Sequence, residues 1–278
     1  MHLKADGTEG EVATAVQYRE DGFTVVAELF TRQEVAWIAR ACVAAGAATS
    51  PKAIREPNGD LRSRFFERGD CPIIDAVVRQ RRLVGRAQAL LGSRVYAYQV
   101  KVNSKRALQG EAWPWHQDYI FWREKDGLPK PRVLTAGLFL DDATEFNGPI
   151  YFVPGSHRQG VLPPMSRDIP ADDYANDLSK DLNYQLTHEV VASLVTRSGM
   201  SSVTGKSGSV VFFDGNVAHC SPNNLSPFDR RILFVTYCSV ENVPRPESRQ
   251  RPNFLCNRDT SPLDMLDAAD LAAAEPSA

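Results

Sequence analysis

The amino-acid sequence predicts a mainly β fold, a sandwich or a barrel, with helices packed against it. Two observations support this prediction. The first third of the chain repeats apolar residues at helical spacing, and the remainder consists of short β-branched and aromatic runs between turn residues. Strands do not alternate with helices, and no glycine-rich phosphate loop is present, so a parallel α/β nucleotide-binding sheet is not indicated.

The helices are predicted from caps and spacing. Thr31 followed by Glu34 is a capping-box pattern that opens an apolar stretch over 33–45, and Gly46 is a suitable stop. Over 72–91 the apolar residues recur near the helical period, which predicts one broken helix or two short ones. The last dozen residues are small, and we expect them to be frayed.

The strands begin where the pattern changes near residue 95. Over 95–103 side chains alternate, which places Gln99, Lys101 and Asn103 on one face of a strand. Other β-branched and aromatic runs are bounded by glycine, proline, asparagine or aspartate, and they predict strands at 133–140, 149–153, 209–213 and 231–240.

A polar, acidic segment over 163–186 interrupts the strands and is longer than an ordinary connection. A lid over a site and a plain surface insertion both fit its composition. Its acidic residues are Asp168, Asp172, Asp173, Asp177 and Asp181.

Composition excludes several classes of function. The 278 residues are 43% hydrophobic and 24% charged, as in globular proteins. The net charge of −2 gives no general attraction for nucleic acid or an anionic membrane. The five cysteines form no CxxC pair, so neither a zinc knuckle nor a disulfide framework is indicated. Without an apolar leader or spanning run, we expect a cytoplasmic protein.

Two of the five histidines suggest a metal site. His116 and Asp118 are two apart, so both project to one side of an extended segment. His219 follows a predicted strand and a turn, and two imidazoles with one carboxylate suit an oxygen-activating non-haem iron(II). Surface hydrogen bonding is the alternative that spacing alone leaves open. Arg230 strengthens the metal interpretation, because a guanidinium can anchor a dicarboxylate co-substrate.

The block GEAWPWHQDYIFW at 110–122 carries a family resemblance. The chain resembles the phytanoyl-CoA dioxygenase-like branch of iron(II) and 2-oxoglutarate-dependent oxygenases. Within that branch the block is most similar to the bacterial free L-proline trans-4-hydroxylases, and next to the ectoine hydroxylases. The resemblance runs from about residue 21 to 259 and is densest at 98–105, 113–127, 147–157 and 219–242.

The resemblance implies a double-stranded β-helix, or jelly roll, as one domain over 1–278. A helical flank would cover about 1–92 and the jelly-roll core about 93–258. It also implies iron(II), 2-oxoglutarate and O2 as cofactor and co-substrates. By position, the iron ligands would be His116, Asp118 and His219, the 2-oxoglutarate residues Arg230, Ser221, Asn103 and Lys105, and the substrate residues Gln99 and Trp122.

The expected activity is hydroxylation of an unactivated C–H bond in a small free amino acid, L-proline at the trans-4 position. Asp118 is present where halogenating relatives lack a carboxylate, and Ile232 replaces a polar asparagine of the ectoine hydroxylases. Arg132 or Lys101 are further candidate anchors for the substrate. The alternatives are another small substrate (pipecolate, another amino acid or ectoine), a non-catalytic metal-binding jelly roll, and a zinc hydrolase.

Several conspicuous residues receive structural interpretations. His157 in the PGSH turn is expected to be structural, and Cys220 points away from its neighbour His219, so the two do not form a nucleophile and base. The aromatic residues around the motif are expected to be core or pocket walls: Trp113, Trp115, Tyr119 and Phe121.

Overall fold

A computed structural model describes residues 7–165, 178, 182–245 and 251–274. The helices are α1 (Gly7–Asp21), α2 (Arg32–Ala47), α3 (Pro72–Val78), α4 (Arg81–Leu91), α5 (Asp118–Asp126), α6 (His188–Ser198) and α7 (Ala268–Ala273). The strands are β1 (Phe23–Val26), β2 (Ala53–Arg55), β3 (Leu61–Phe66), β4 (Val95–Lys105), β5 (Trp113–His116), β6 (Val133–Phe139), β7 (Ile150–Phe152), β8 (Ser201–Val203), β9 (Val210–Asp214), β10 (His219–Ser221) and β11 (Arg230–Ser239).

The strands form two antiparallel sheets of a jelly roll, so the predicted fold class is confirmed. The larger sheet has the order β1-β9-β6-β11-β4-β3-β2, and the smaller has the order β5-β10-β7-β8. Aromatic side chains fill the space between them. Phe152 of the smaller sheet stacks on Phe23 of the larger one at 4.5 Å between ring centroids.

Alternation along the central strands buries both faces of the larger sheet. On β11, Ile232 and Phe234 point to the inter-sheet core, whereas Leu233 and Val235 belong to a second core shared with α2, α3 and α4. Since successive side chains of a strand point to opposite faces, one strand supplies both cores. The helical layer therefore covers the outer face of the sheet and leaves the inner face for a site.

The predicted capping box at the start of α2 is confirmed. Thr31 Oγ1 accepts from the Glu34 amide at 3.3 Å, and Glu34 Oε2 accepts from the Thr31 amide at 2.7 Å, which closes the capping box of α2. Gly46 does not stop this helix. A Cβ on Gly46 would lie 2.5 Å from Leu61 Cδ2, so the glycine permits close packing on β3. The segment 72–91 forms two helices, one of the two predicted forms.

The expected helical flank contains three strands, which is a correction. β1, β2 and β3 all join the larger sheet. Sequence patterning missed β3 because charged side chains are buried in it: Arg62 is 1% exposed, and its guanidinium pairs with Glu56 at 2.8 Å. A charged residue ordinarily indicates the surface, and only a buried partner reverses that.

The chain end also differs from the frayed tail that its composition suggests. Residues 268–273 form α7, which Asp267 caps, and Leu271 is fully buried among residues of the helical layer. Arg81 on α4 pairs with Asp267 at 2.7 Å. The four residues after 274 lie outside the described part. Among the described helices, none has the length and apolarity needed to cross a bilayer.

Truncation of Leu271 tests this docking. Leu271→Ala should lower the free energy of unfolding by about 2–4 kcal/mol, because it leaves a cavity in a packed core. Chemical denaturation measures the change, and Ala272→Ser on the exposed face of α7 is the matched control. A loss in Leu271→Ala no larger than in the control would mean that the tail is frayed.

A buried carboxyl at the end of β9 gives a pH prediction. Burial raises the pKa of Asp214 to about 6, although its Oδ1 accepts from the Asn216 amide and Tyr18 of α1 lies 3.5 Å from its Oδ2. A raised carboxyl pKa means that the folded state holds a proton longer than the unfolded state. Stability from this group is therefore lost as pH rises from about 4 to about 6.

The Asp214→Asn variant should consequently gain free energy of unfolding over the wild type at pH 7. We expect this gain to be about 1–2 kcal/mol larger near pH 7 than near pH 4. Thermal or chemical unfolding of both proteins at the two pH values measures this difference. An equal effect at both values would show that the charge of Asp214 does not oppose folding.

Candidate metal centre and substrate cavity

Strand pairing between β5 and β10 brings the two histidines of the motif together. His116 at the end of β5 lies directly opposite His219 at the start of β10, and the ring centroids are 4.2 Å apart. Asp118 is the first residue of α5. It projects to the same side as His116, because Gln117 between them has an extended backbone (φ −119°, ψ 139°).

The three side chains present ligand atoms to one point. Asp118 Oδ1 lies 3.5 Å from His116 Nε2 and 3.9 Å from His219 Nε2. One ligand atom from each residue lies within 4.8 Å of the others, and no second group of this kind occurs in the described ranges. The predicted triad is therefore assembled, although α5 begins where an extended segment was expected.

Hydrogen bonds prepare both histidines to bind a metal. Nδ1 of His116 donates to the Pro114 carbonyl at 2.6 Å, and Nδ1 of His219 donates to the Val217 carbonyl at 3.0 Å when each ring carries its proton there. That tautomer leaves an Nε2 lone pair on each ring free to bind a metal beside Asp118. Burial lowers the pKa of His219 to about 4, which favours the neutral, ligating form.

Asp118 stays ionised. Burial alone would raise its pKa, but the neighbouring side chains of His116, His219 and Lys101 lower it below the ordinary aspartate range. Two neutral imidazoles and one carboxylate on one side of a metal form the donor set of oxygen-activating iron(II) sites. The donor chemistry of this triad thus fits iron(II).

Gln117 fixes the turn between the two ligands, and sequence reasoning missed it. Its side chain is 1% exposed, its Nε2 donates to the carbonyls of Gly160 and Asn216, and its Oε1 accepts from the Leu162 amide at 2.8 Å. A buried glutamine with these contacts ties the His116–Asp118 turn to the loop before His219. Nothing local in the sequence indicates such a role.

A cavity opens beside the triad. The face predicted from alternation on β4 lines it, with Gln99, Lys101 and Asn103. Its other walls combine polar groups and large apolar side chains from several elements, including Trp113, Phe121, Trp122, Thr135, Cys220, Ser221, Arg230, Phe234, Arg251 and Leu255.

Arg230 is a buried cation that faces this cavity. It is 2% exposed, and its Nη2 donates to the Gly148 carbonyl at 2.7 Å and to Ser221 Oγ at 3.1 Å. Its Nε has no hydrogen-bond partner, and no carboxylate in the described part of the chain pairs with it. Burial lowers its pKa to about 10, so the side chain remains charged. An unpaired buried guanidinium fits an incoming carboxylate.

Two predicted residues lie outside the cavity wall. Lys105 pairs with Arg230 across β4 and β11, but its ammonium donates to the carbonyls of Glu111 at 2.8 Å, Ser221 at 3.2 Å and Pro222. Lys105 therefore stabilises the backbone that carries Ser221 and does not contact the cavity itself. Arg132, considered as a substrate anchor, instead pairs with Glu241 at the surface, which corrects that expectation.

Lys101 and Arg251 add positive charge to the cavity. Burial lowers the pKa of Lys101, and the negative charge of Asp118 offsets only part of that shift. The Lys101 ammonium forms no salt bridge within the described ranges. Arg251, which the sequence did not indicate, has its Nε 2.8 Å and its Nη2 2.5 Å from the carboxylate of Asp126. Asp118 is the sole acidic side chain among the residues that line this space in the described chain.

Leu178 and Leu182 of the acidic segment also line the cavity. Arg62 Nε donates to the Leu178 carbonyl at 2.9 Å. The five aspartates of that segment lie outside the described residues, so both interpretations of the segment, a lid and a surface insertion, stay predictions.

The structural interpretations of the other conspicuous residues agree with the packing. His157 lies apart from the triad, and a Cβ on Gly22 would approach its Nδ1 to 2.5 Å, so it packs against the chain after α1. Burial raises the pKa of the Cys220 thiol to about 12, which keeps it protonated. Trp113 and Phe121 are cavity walls, and Tyr119 belongs to the core.

Comparison with known proteins agrees with this geometry. The family described as phytanoyl-CoA dioxygenase (PhyH) matches residues 18–232. The ectoine dioxygenase of Bordetella bronchiseptica is 36% identical over 277 residues, which cover 93% of this chain and 89% of that protein. The L-proline trans-4-hydroxylase of Streptomyces griseoviridis is 40% identical over 194 residues, 69% of this chain and 72% of that protein.

Solved structures show the same architecture. The apo crystal structure of EctD from S. alaskensis superimposes with a TM-score of 0.78 at 30% identity and covers 92% of this chain and 87% of that chain. The EctD structure with bound Fe gives a TM-score of 0.77 at 29% identity, with the same two coverages. The non-catalytic and zinc-hydrolase alternatives are thereby set aside. The chain belongs to the phytanoyl-CoA dioxygenase family and is a non-haem iron dioxygenase that depends on 2-oxoglutarate and O2.

Proposed function

We propose that this dioxygenase hydroxylates an unactivated C–H bond of a small free amino acid, and that its substrate is L-proline, at the trans-4 position. The observation that carries the proposal is the distribution of charge in the cavity. Arg230 and Lys101 supply cationic groups at separate places in one wall, and neither has a carboxylate partner in the described structure. Two carboxylate ligands, a co-substrate and an amino acid, would satisfy both.

In this proposal His116 and His219 hold iron through Nε2, and Asp118 holds it through its carboxylate. When bound, iron(II) with 2-oxoglutarate and O2 supplies the oxidation of a C–H bond, and 2-oxoglutarate leaves as succinate and carbon dioxide. Because Asp118 supplies the third ligand, hydroxylation is favoured over halogenation. The residues' contribution is to fix three donor atoms on one side and leave the cavity side open.

Arg230 would bind the distal carboxylate of 2-oxoglutarate. Its Nη2 is already held by Gly148 and Ser221, so the guanidinium is oriented before the ligand arrives. Asn103 is held in the wall in the same way, because its Oδ1 accepts from Ser63 Oγ at 2.8 Å and its amide nitrogen remains available to a ligand. Lys105 would act through the backbone around Ser221 rather than by contact.

The amino-acid substrate would lie toward Lys101. Its carboxylate would pair with that ammonium, and its apolar ring would pack between Trp122 and Phe234, which line the same cavity. Gln99 is held in place because its Nε2 donates to the Leu255 carbonyl at 2.9 Å. Its side-chain oxygen, Oε1, can therefore accept a hydrogen bond from a substrate amine. Misplacement of the reacting carbon by about 1 Å costs on the order of a hundredfold in rate, so these contacts decide turnover.

Ectoine is the second candidate substrate, because relatives named ectoine dioxygenase align with 93% of this chain. Ile232 argues against it. This residue replaces a polar side chain expected in the ectoine hydroxylases, and it is 1% exposed in an apolar cluster with Phe139 and Phe234.

A substrate panel tests the proposal directly. Aerobic incubation of the chain with iron(II), 2-oxoglutarate and L-proline should yield succinate and a product heavier by one oxygen atom, whose regiochemistry NMR identifies. Pipecolate, other amino acids and ectoine complete the panel, and His116→Ala is the inactive control. Hydroxylation of ectoine but not proline would overturn the substrate while leaving the oxygenase class intact.

Lys101→Met tests the anchor for the substrate carboxylate. We expect the KM for L-proline to rise by about tenfold or more, since a charged hydrogen bond worth about 1.5–3 kcal/mol is lost. The KM for 2-oxoglutarate should change much less. Arg132→Met is the matched control, because it removes a cation outside the cavity. A rise confined to the KM for 2-oxoglutarate would instead assign Lys101 to the co-substrate.

A further inference from the structure

Two buried threonine hydroxyls at one end of the catalytic cavity have no part in binding the metal or the co-substrate. Thr135 on β6 and Thr236 on β11 are each 2% exposed, and both line the cavity. Their Oγ1 atoms lie 3.0 Å apart, so one hydroxyl donates a hydrogen bond to the other. The pair belongs to the cavity floor, which the inner face of the larger sheet supplies.

Strand register places this pair in one row with Gln99. Thr236 lies opposite Thr135 of β6 on one side and opposite Gln99 of β4 on the other. Residues that pair directly across neighbouring strands project to the same face of the sheet, and all three side chains line the cavity. We call Thr135, Thr236 and Gln99 the polar row. The register of β4 against β11 shifts immediately after Thr236, so the polar row ends the regular floor of the cavity.

Apolar side chains separate the polar row from the co-substrate end of the cavity. Along the inner face of β11, Phe234 and Ile232 lie between Thr236 and Arg230, and both belong to the apolar core between the sheets. Thr236 and Arg230 are six positions apart on this strand, which corresponds to about 20 Å. A small ligand group held by Arg230 therefore does not reach Thr236. The polar row lies at the end of the cavity that remains for the substrate.

The two hydroxyls have hydrogen-bonding capacity that the protein does not use. Each threonine hydroxyl offers one proton and two lone pairs. The bond between Thr135 and Thr236 uses one proton and one lone pair, and neither hydroxyl forms another hydrogen bond in the described part of the chain. One proton and three lone pairs therefore remain at the cavity. Burial of unpaired polar groups is costly, and valine would occupy the same space in a strand, so the hydroxyls indicate a ligand.

The free atoms of the polar row suit an ammonium group. Gln99 Nε2 donates to the Leu255 carbonyl, so Gln99 Oε1 adds an acceptor to the free hydroxyl lone pairs. Asp118 is the sole acidic side chain that lines this space in the described chain, and it belongs to the metal triad. A substrate ammonium thus has neutral oxygens as its acceptors. Lys101 lies two positions from Gln99 on the same face, so one α-amino acid can reach Lys101 with its carboxylate and the polar row with its amine.

We propose that the polar row binds the amino group of the substrate and that Thr236 selects substrates with N–H donors, an inference that rests on the proposed amino-acid substrate. The protonated ring nitrogen of L-proline carries two N–H donors, and Gln99 Oε1 and Thr236 Oγ1 accept them. Thr135 is a positioning residue, because its hydrogen bond orients the Thr236 hydroxyl. A substrate without an N–H donor leaves these buried oxygens unpaired and binds poorly.

Removal of one hydroxyl at constant shape tests this subsite in the iron-loaded enzyme. Thr236→Val should raise the KM for L-proline by about tenfold or more, because a hydrogen bond to a charged group is lost, while the KM for 2-oxoglutarate changes much less. Thr135→Val should give a smaller rise, and Thr236→Ser, which retains the hydroxyl, should stay near the wild type. Thr24→Val is the matched control: it removes a buried hydroxyl that donates to Gln17 at 2.8 Å on β1, outside the cavity.

An analogue without nitrogen separates recognition of the amine from packing of the ring. Cyclopentanecarboxylate keeps the ring and the carboxylate of L-proline but has no N–H group, and its inhibition constant is measured against L-proline hydroxylation. The wild type should bind it much more weakly than L-proline. Thr236→Val should bind it at least as well as the wild type does, so that the preference for L-proline falls by about tenfold or more. A merely structural role of Thr236 would weaken both ligands alike.

Equal weakening of both ligands in Thr236→Val, or an unchanged KM for L-proline, would overturn the subsite. So would an equal rise of that KM in the Thr24→Val control. If the wild type hydroxylates a different amino acid, the same variants are measured with that substrate and its nitrogen-free analogue. A wild type that hydroxylates no amino acid overturns the proposed function and the subsite together, whereas an active wild type with unaffected variants overturns the subsite alone.

Discussion

The short antiparallel pairing of β5 with β10 is the contact on which the metal centre depends. It sets His116 opposite His219, although 102 residues separate them in the chain. A shift of one residue in this register would turn one imidazole to the opposite face of the sheet. β10 also pairs with β7, and Gln117 ties the following turn to Asn216, so the register is held from several sides. The ligand geometry is thus fixed by backbone pairing before any metal binds.

The long pairing of β4 with β11 positions the side chains that line the cavity. It sets Arg230 opposite Lys105 and Thr236 opposite Gln99, and alternation along both strands carries their polar side chains to the inner face. The helical layer stabilises a sheet whose inner face carries these polar side chains. By covering the outer face with an apolar core, α2, α3 and α4 bind the sheet without using the inner face, which remains available for ligands.

Buried charges divide into two groups by their partners. Arg62 and Arg251 meet carboxylates, and Lys105 meets three carbonyl groups, so each is satisfied inside the protein. Arg230 and Lys101 face the cavity and form no ion pair within the described structure. Since an unpaired buried charge is costly, the second group indicates where anionic ligands belong. The residue type alone does not separate the two groups. The sequence therefore allowed Arg132 as a substrate anchor, although this arginine pairs with Glu241 at the surface.

Local chemistry in the sequence determined the capped helix α2, the break in 72–91, the alternating face of β4 and the motif that carries His116 and Asp118. These features depend on residues within one or two turns of each other, so patterns of spacing contain them. The tertiary structure decided the rest. β3 is a strand because Glu56 and the sheet accept its arginines, α7 is ordered because Leu271 finds a core, and Lys105 and Arg132 leave the cavity because distant groups bind them. Such partners are remote in sequence, and only the folded chain brings them within bonding distance.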